Sequence, residues 1–306
     1  TMQDLFNTDD LDGIQFGAER SGPMGGLLHW NAKPACFCEH CQQRMQKNNI
    51  DPQRLQEGFS ELYQYLNQMR ESEKPPTDGA WTVYLRHLMQ YPETLAWGWQ
   101  WHRAQNELHK MVYDTIKAIK PAAQVGRHVS CVETGMDMFY RAVAPFSEMT
   151  ENNDYIKIIT YHEITGPRLE WWHLTPLGKT IYKELSPQQI LDLFYAQNHH
   201  DPARQPKAED LEKEGLSPDF VGVETKRAVE SVTGTANIYS GIGMDIPVGS
   251  SFWGNQPRPS KPETIKQAVL QAFAHGAKGV VASREYEEMT LPSLTAYGNG
   301  VNESKI

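Results

Sequence analysis

The feature that most constrains this chain is an alternation of short apolar segments with amphipathic helical segments. Five segments have the apolar content and length of β-strands, namely 11–19, 124–130, 154–163, 235–245 and 278–288. Each is followed by at least one stretch with apolar residues at helical spacing. In one of them these residues are Leu55, Phe59, Leu62, Leu66 and Met69. Strands that alternate with helices usually connect in parallel, so the pattern predicts an α/β fold. We expect it to form one domain over residues 1–306.

Several helix boundaries are also marked in the sequence. Ser186, followed by Pro187, is typical of a helix start. Ser260 and Glu263 predict a capping box that opens another helix, which Gly276 then ends.

Ionisable or aromatic residues stand at the end of every predicted strand. They are Glu19, Arg20, His128, Glu133, Tyr161, His162, Glu163, Asp245, Arg284, Glu285 and Tyr286. Barrel enzymes build their active sites at the carboxyl ends of parallel strands, so this placement favours a (β/α) TIM-type barrel. A doubly wound open sheet also fits five strands, but the chain lacks the G-x-G-x-x-G loop typical of that fold. Since a closed barrel has eight strands, the barrel is predicted to be partial.

Charge and hydropathy exclude two classes of partner. The net charge is −9 and no long basic run opposes it, which argues against a nucleic-acid surface. No apolar run reaches the roughly 18 to 20 residues of a membrane helix, and the first ten residues lack the features of a signal peptide. We therefore expect a soluble protein that binds an uncharged or polar ligand. Its compartment is left open, with the bacterial cytoplasm and periplasm as the candidates.

Three cysteines form a C-x-C-x-x-C motif at Cys36, Cys38 and Cys41. Such a turn leading into a helix brings thiolates to one point, so the motif predicts a structural metal site with converging sulfurs. A closed zinc site needs four ligands. The fourth is left open between His40, His29, Cys131 and a residue upstream of the chain.

The segment 12–41 carries a resemblance to a known family. A strand that ends in Glu19, a Gly-rich loop and the C-x-C-x-x-C motif resemble the middle of glycoside hydrolase family 42 and related clan A barrels. The C-terminal part, IYSGIGMDIP and later GAKGVVASREYEEM, is similar to the seventh and eighth strands of glycosidase-like barrels.

The resemblance implies that the strands are the fourth to the eighth of a barrel and that the first three precede residue 1. It also implies that Glu19 is the general acid/base and that the cysteines bind structural zinc. The chain departs from the family at Ala18, where Asn is usual, and at Asp245, where a Glu nucleophile is usual.

Glycoside hydrolysis needs two carboxyl groups that flank the bond to be cleaved. Glu19 closes an apolar strand, which would raise its pKa as a general acid requires. Its partner is left open between Asp245, Glu285 and Glu163, in that order.

Substrate binding is assigned to polar and aromatic residues at the same strand ends. The polar candidates are Arg20, His128, Tyr161, His162, Glu163 and Arg284. Trp171, Trp172 and Trp253 follow predicted strands and would stack on sugar faces. By contrast, Trp97, Trp99 and Trp101 are predicted to pack between helices.

Two other functions stay open beside hydrolysis. A degenerate barrel would bind carbohydrate without cleaving it. A sugar isomerase or aldolase would use a divalent ion held by His128, Glu163, Asp245 and Glu285. No organic cofactor is expected, and the open edges of a partial barrel predict a homo-oligomer.

Overall fold

The computed structural model describes residues 2–17, 22–33, 36–130, 135–232, 236–248, 256–257, 259–284 and 286–305. The strands are β1 (Gly13–Phe16), β2 (Gln124–Val129), β3 (Tyr155–Ile159), β4 (Asn237–Gly243), β5 (Pro247–Val248), β6 (Gln256–Pro257) and β7 (Gly279–Ser283).

The helices surround these strands along the whole chain. They are α1 (Met2–Thr8), α2 (Pro23–Trp30), α3 (Glu39–Lys47), α4 (Pro52–Glu71), α5 (Ala80–Gln90), α6 (Glu93–Ile119), α7 (Met138–Val143), α8 (Phe146–Met149), α9 (His162–Leu169), α10 (Thr175–Gly178), α11 (Pro187–Gln197), α12 (Leu211–Glu214), α13 (Pro218–Ser231), α14 (Pro262–Ala274) and α15 (Leu291–Glu303). A π-helical turn over Glu170–Leu174 joins α9 to α10, and 3₁₀ turns lie at Pro202–Arg204, Ala208–Asp210 and Tyr286–Glu288.

The central sheet has five parallel strands in the order β1-β2-β3-β4-β7. It curls into a half-barrel, with helices between successive strands. All five predicted strands are therefore confirmed in order and direction. The last one ends at Ser283, earlier than predicted, and Tyr286–Glu288 form a 3₁₀ turn instead. The short strands β5 and β6 form a separate antiparallel pair in the connection between β4 and α14.

The two faces of the sheet differ in chemistry because side chains alternate along each strand. On β3, Ile156 and Ile158 are buried in an apolar cluster with Phe146 of α8 and Ala228 of α13. Lys157, between the two isoleucines, lies on the opposite face. The convex face is thus covered by helices, whereas the concave face carries polar groups.

Local sequence explains how the surrounding helices start and pack. Asp51 caps α4 by accepting hydrogen bonds from the backbone N–H of Gln53 and Arg54. The predicted apolar face of α4 is buried along its length. At α11 the predicted cap is confirmed, because Ser186 and Gln189 form a reciprocal capping box.

The capping box predicted at Ser260 is wrong. Helix α14 is present, but no side chain from its own N-terminal turn caps it. Glu163, distant in sequence, takes that place: its Oε1 accepts hydrogen bonds from Lys261 N at 3.3 Å and Thr264 Oγ1 at 2.6 Å. Ser260 is drawn instead into hydrogen bonds with Asp245.

Candidate active site at the strand ends

Several residues assigned to the site lie outside the described part of the chain. They are Glu19, Arg20, Cys131, Glu133, Trp253 and Glu285. Their assignments stay predictions. The described candidates, in contrast, have defined surroundings.

The concave face of the sheet holds a compact group formed by Lys157, Tyr161 and Ser283. Lys157 is 3% exposed, although it carries an amine. Its Nζ donates a hydrogen bond to the Tyr161 hydroxyl and lies 3.5 Å from Ser283 Oγ and 4.7 Å from the centre of the Tyr161 ring. The Tyr161 and Ser283 hydroxyls are hydrogen-bonded to each other. We call these three residues the Lys157 cluster.

The Lys157 cluster depends on a glycine in the neighbouring strand. A Cβ atom at Gly241 of β4 would lie 2.7 Å from Lys157 Cε and 2.9 Å from Tyr161 Cε1. No real side chain tolerates such approach without displacing its neighbours. Lys157 is buried, while Tyr161 and Ser283 are half-buried, so the accessible part of the cluster belongs to Tyr161 and Ser283.

His128 of β2 is also on the concave face. Its Nδ1 lies 3.5 Å from Gln15 Nε2 of β1. In the register of the sheet, His128 stands beside Lys157. A polar strip therefore crosses the concave face from Gln15 through His128 to the Lys157 cluster.

Asp245 follows β4 and is 2% exposed. One carboxylate oxygen accepts hydrogen bonds from Ser260 N at 2.8 Å and Ser293 Oγ at 3.2 Å, and the other accepts one from Thr290 N at 2.8 Å. The carboxylate therefore joins the end of β4 to the start of α15. Its φ of 51° is left-handed, a conformation that Asp tolerates better than most residues.

The third predicted strand is shorter than expected, and this changes the positions of His162 and Glu163. The ladder ends at Ile159, and Thr160 closes it by bonding Gly241 O through both its N–H and its hydroxyl. His162 and Glu163 therefore open α9 instead of ending β3.

His162 is wholly buried, with neither ring nitrogen hydrogen-bonded to a described residue. Burial lowers its pKa to about 4, so the ring is neutral at pH 7. Binding of a substrate by His162 would need the ring to become accessible.

Arg284 and the tryptophan pair have partners of their own. Arg284 forms an ion pair with Glu288, with Nε and Oε2 2.5 Å apart. Trp172 is half-buried, packs edge-on against Trp30 at 5.0 Å between ring centroids and lies under the Arg168 guanidinium. Trp171 is half-buried too. Both rings lie in the π-helical turn that follows α9.

The three cysteines converge as predicted. Their sulfurs all lie within 4.8 Å of one another, and those of Cys36 and Cys38 are 3.2 Å apart. The pKa of Cys38 is lowered, mainly by a hydrogen bond from the Cys41 N–H. Burial, together with the adjacent Cys36 and Cys38 thiols, raises the pKa of Cys41 to about 12. Cys38 therefore loses its proton more easily than a free cysteine, and Cys41 less easily.

His29, one of the candidates for a fourth metal ligand, has other partners in the structure. Its ring is buried, bonds Trp172 O through Nδ1 at 2.7 Å and stacks on His173. Among the residues that the structure describes, the cysteines are the only group of three His, Cys, Asp or Glu side chains with converging ligand atoms.

Comparisons with known proteins add no assignment. No protein-family model and no curated protein gives a significant match to the chain.

Within the described ranges, no helix combines the length and the apolar content needed to cross a membrane.

Sequence reasoning missed Lys157 and Ser283, although a signal was present. In YIKII, a single charged residue stands between isoleucines in a segment with strand periodicity. In a strand whose apolar face packs against helices, such a residue lies on the opposite face. In a curled parallel sheet, that opposite face lines the inside of the curve.

Proposed function

We propose that this chain is a carbohydrate-active enzyme that cleaves glycosidic bonds, with Glu19 as the proton donor and Glu285 as the second carboxylate. The observation that carries the proposal is the polar interior of the curled parallel sheet, centred on the Lys157 cluster. Glu19 follows β1 and Glu285 follows β7 in the sequence. Parallel strands end at the same edge of a sheet, where barrel enzymes hold their catalytic groups.

The contacts of the other two carboxylates favour Glu285 as the partner of Glu19. Both oxygens of Asp245 accept hydrogen bonds from the chain itself, and Oε1 of Glu163 accepts two at the start of α14. A nucleophile or base with its lone pairs so engaged would have to break these contacts in order to act. Glu285 directly follows Arg284, next to the Lys157 cluster residue Ser283.

In this proposal the Lys157 cluster and His128 bind hydroxyl groups of the sugar. Amine, phenol and imidazole groups together offer donors and acceptors, which a ring with several hydroxyls requires. The separation of the two carboxyl groups would decide the stereochemistry: about 5 to 5.5 Å gives retention and about 6.5 to 9.5 Å gives inversion.

The test uses carboxylate variants and two kinds of substrate. Glu19→Gln should abolish hydrolysis of glycosides with poor leaving groups while substrate binding survives, and it should affect activated aryl glycosides less. Glu285→Gln should abolish both. Asp114→Asn, in an exposed i,i+4 ion pair of α6, is the control and should cleave like the wild type. If Glu19→Gln leaves both substrates unaffected, the hydrolase proposal fails and a sugar-binding barrel replaces it.

We further propose that Cys36, Cys38 and Cys41 bind a structural zinc ion. A zinc–sulfur distance of about 2.3 Å in tetrahedral geometry requires sulfurs about 3.8 Å apart. The sulfurs of Cys36 and Cys38 are 3.2 Å apart and no pair of the three exceeds 4.8 Å, which is close to that value. Metal analysis of the purified protein should find about one zinc per chain, and Cys41→Ser should reduce it severalfold. Full zinc content in Cys41→Ser would contradict the site.

A further inference from the structure

The thiols of Cys36 and Cys38 belong to exposed residues, whereas Cys41 is half-buried. Phe37, which stands between the two exposed cysteines, is half-buried and packs against the apolar core. Its carbonyl oxygen accepts a hydrogen bond from Gln42 Nε2 at 2.6 Å. An anchored residue therefore separates two cysteines that lie on the outside of the protein, where a small solute reaches them.

The sulfurs of Cys36 and Cys38 are closer together than a zinc ion requires. Their separation is 3.2 Å, against about 3.8 Å between sulfurs in a tetrahedral zinc site. A disulfide bond is about 2.05 Å long, so its formation requires these two sulfurs to approach by about 1.1 Å. The departure from the zinc geometry is thus in the direction that a disulfide requires.

The backbone at Cys36 is strained. Its φ of 91° lies in the left-handed region, which residues with a side chain seldom adopt and glycine adopts freely. Strained conformations of this kind persist where the surrounding structure enforces them, and they cluster at functional sites. A cysteine at a position that suits glycine therefore indicates a role for its sulfur.

The metal site has three converging ligands in the part of the chain that the structure describes. A closed structural zinc site has four. With three ligands, two of them on exposed residues, the sulfurs stay open to reagents from solution. Accessible cysteine sulfurs beside a second cysteine are the type of site that peroxide oxidises to a disulfide.

We propose that peroxide oxidises Cys36 and Cys38 to a disulfide and thereby releases the metal ion from the three cysteines. One sulfur attacks an oxygen of hydrogen peroxide: an S–O bond forms, the O–O bond breaks, and the other oxygen leaves as water. The second sulfur then attacks the first, which forms the S–S bond and expels the remaining oxygen as water. Two thiols thus lose two protons and two electrons, and the peroxide becomes two water molecules.

The disulfide is expected to be reversible. It closes a ring around a single residue, Phe37, and strained or exposed disulfides are reduced more readily than relaxed, buried ones. A thiol reductant therefore restores both sulfurs, after which the metal binds again. Formation of the disulfide needs only the two cysteines, whereas release of the metal rests on the proposed zinc site. Neither step depends on cleavage of a glycoside.

The experiment treats the whole zinc-loaded protein with a small molar excess of hydrogen peroxide. Alkylation before and after reduction, read by mass spectrometry, counts the free thiols and identifies the paired cysteines, while a chromogenic chelator measures released zinc. The wild type has four cysteines. It should lose two free thiols, pair Cys36 with Cys38 and release most of its zinc. Dithiothreitol should restore both thiols.

Three variants make the test specific. Cys36→Ser should form a disulfide at least tenfold more slowly than the wild type. Cys36→Gly removes the same sulfur and suits the left-handed backbone, so it gives the same reading if the serine variant misfolds. Cys131→Ser is the matched control for the loss of a cysteine outside the motif, and it should pair Cys36 with Cys38 within twofold of the wild-type rate. Wild-type rates in both Cys36 variants, or pairing of other cysteines in the wild type, would overturn the proposal.

Failure of this inference can be told from failure of the zinc site. If the purified protein holds no zinc but forms the Cys36–Cys38 disulfide, the zinc assignment falls and the oxidation site stands. If zinc is bound, and peroxide leaves all four thiols and the metal in place, the zinc assignment stands and the oxidation site is refuted. Cys41→Ser separates the two properties in one chain, since it should lose zinc and still form the disulfide at no less than half the wild-type rate.

Discussion

Replacement of Asp245 by alanine should destabilise the fold strongly, because its carboxylate connects segments that follow β4 with the start of α15. The side chain accepts hydrogen bonds from Ser260 N, Thr290 N and Ser293 Oγ while only 2% of the residue is exposed. Asp245→Ala removes the acceptor from all three donors at once. Two of these donors are backbone N–H groups, which cannot turn toward other partners.

The expected magnitude follows from these contacts. A hydrogen bond to a charged group contributes about 1.5 to 3 kcal/mol. Three such bonds set an upper bound of about 4.5 to 9 kcal/mol, but water entering the vacated space recovers part of it, and single substitutions rarely exceed about 4 to 5 kcal/mol. We expect the free energy of unfolding to fall by about 3 to 5 kcal/mol. Asp245→Asn keeps one acceptor and tolerates the left-handed backbone, so its loss should be smaller.

Urea denaturation followed by circular dichroism measures this loss. Asp114→Ala is the matched control: its carboxylate bonds Lys110 on the exposed surface of α6, and its removal should change the free energy of unfolding by no more than about 0.5 kcal/mol. If Asp245→Ala unfolds at the same urea concentration as the wild type, the structural role is refuted. If it abolishes glycoside cleavage at unchanged stability, Asp245 is a catalytic carboxylate after all.

Three other perturbations test neighbouring parts of the fold. The folded-state pKa of His162 is about 4, so at this residue the unfolded chain binds more protons than the folded chain below about pH 6.5. The free energy of unfolding should therefore fall as the pH drops from 6.5 to 4, by up to about 1.4 kcal/mol per pH unit from this residue. His162→Leu should flatten this pH dependence, as measured by urea denaturation. Gly241→Ala should lower the melting temperature, at a cost of about 1 to 3 kcal/mol, because the new methyl group collides with Lys157. Gly26→Ala is the control: its Cβ would lie 3.9 Å from the nearest atom, so the melting temperature should not fall. Glu163→Ala should cost about 0.5 to 1.5 kcal/mol for each hydrogen bond lost, those from Lys261 N and the Thr264 hydroxyl at the start of α14. An unchanged thermal unfolding curve would contradict that role.

Some features of this protein follow from local sequence. Alternating apolar residues in YIKII and helical spacing in α4 arise within a single element, so they predicted the strands and helices correctly. Ser186 caps α11 as expected because the donor and acceptor stand three residues apart. The convergence of Cys36, Cys38 and Cys41 is local in the same sense, since one turn of chain sets the distances between the sulfurs.

Other features were decided only when distant segments met. Ser260 was expected to cap α14, but Asp245 competes for it, and Glu163, 98 residues from Lys261, takes over the cap. Lys157 meets Ser283 across 126 residues because β3 and β7 flank β4 in the curled sheet. The pattern of a segment fixes which face a side chain takes, because backbone geometry sets the period of each element. The pattern does not fix the partner of a buried polar group, because several donors and acceptors of similar chemistry compete for it. The packing of the whole sheet and its helices decides which of them forms the hydrogen bond.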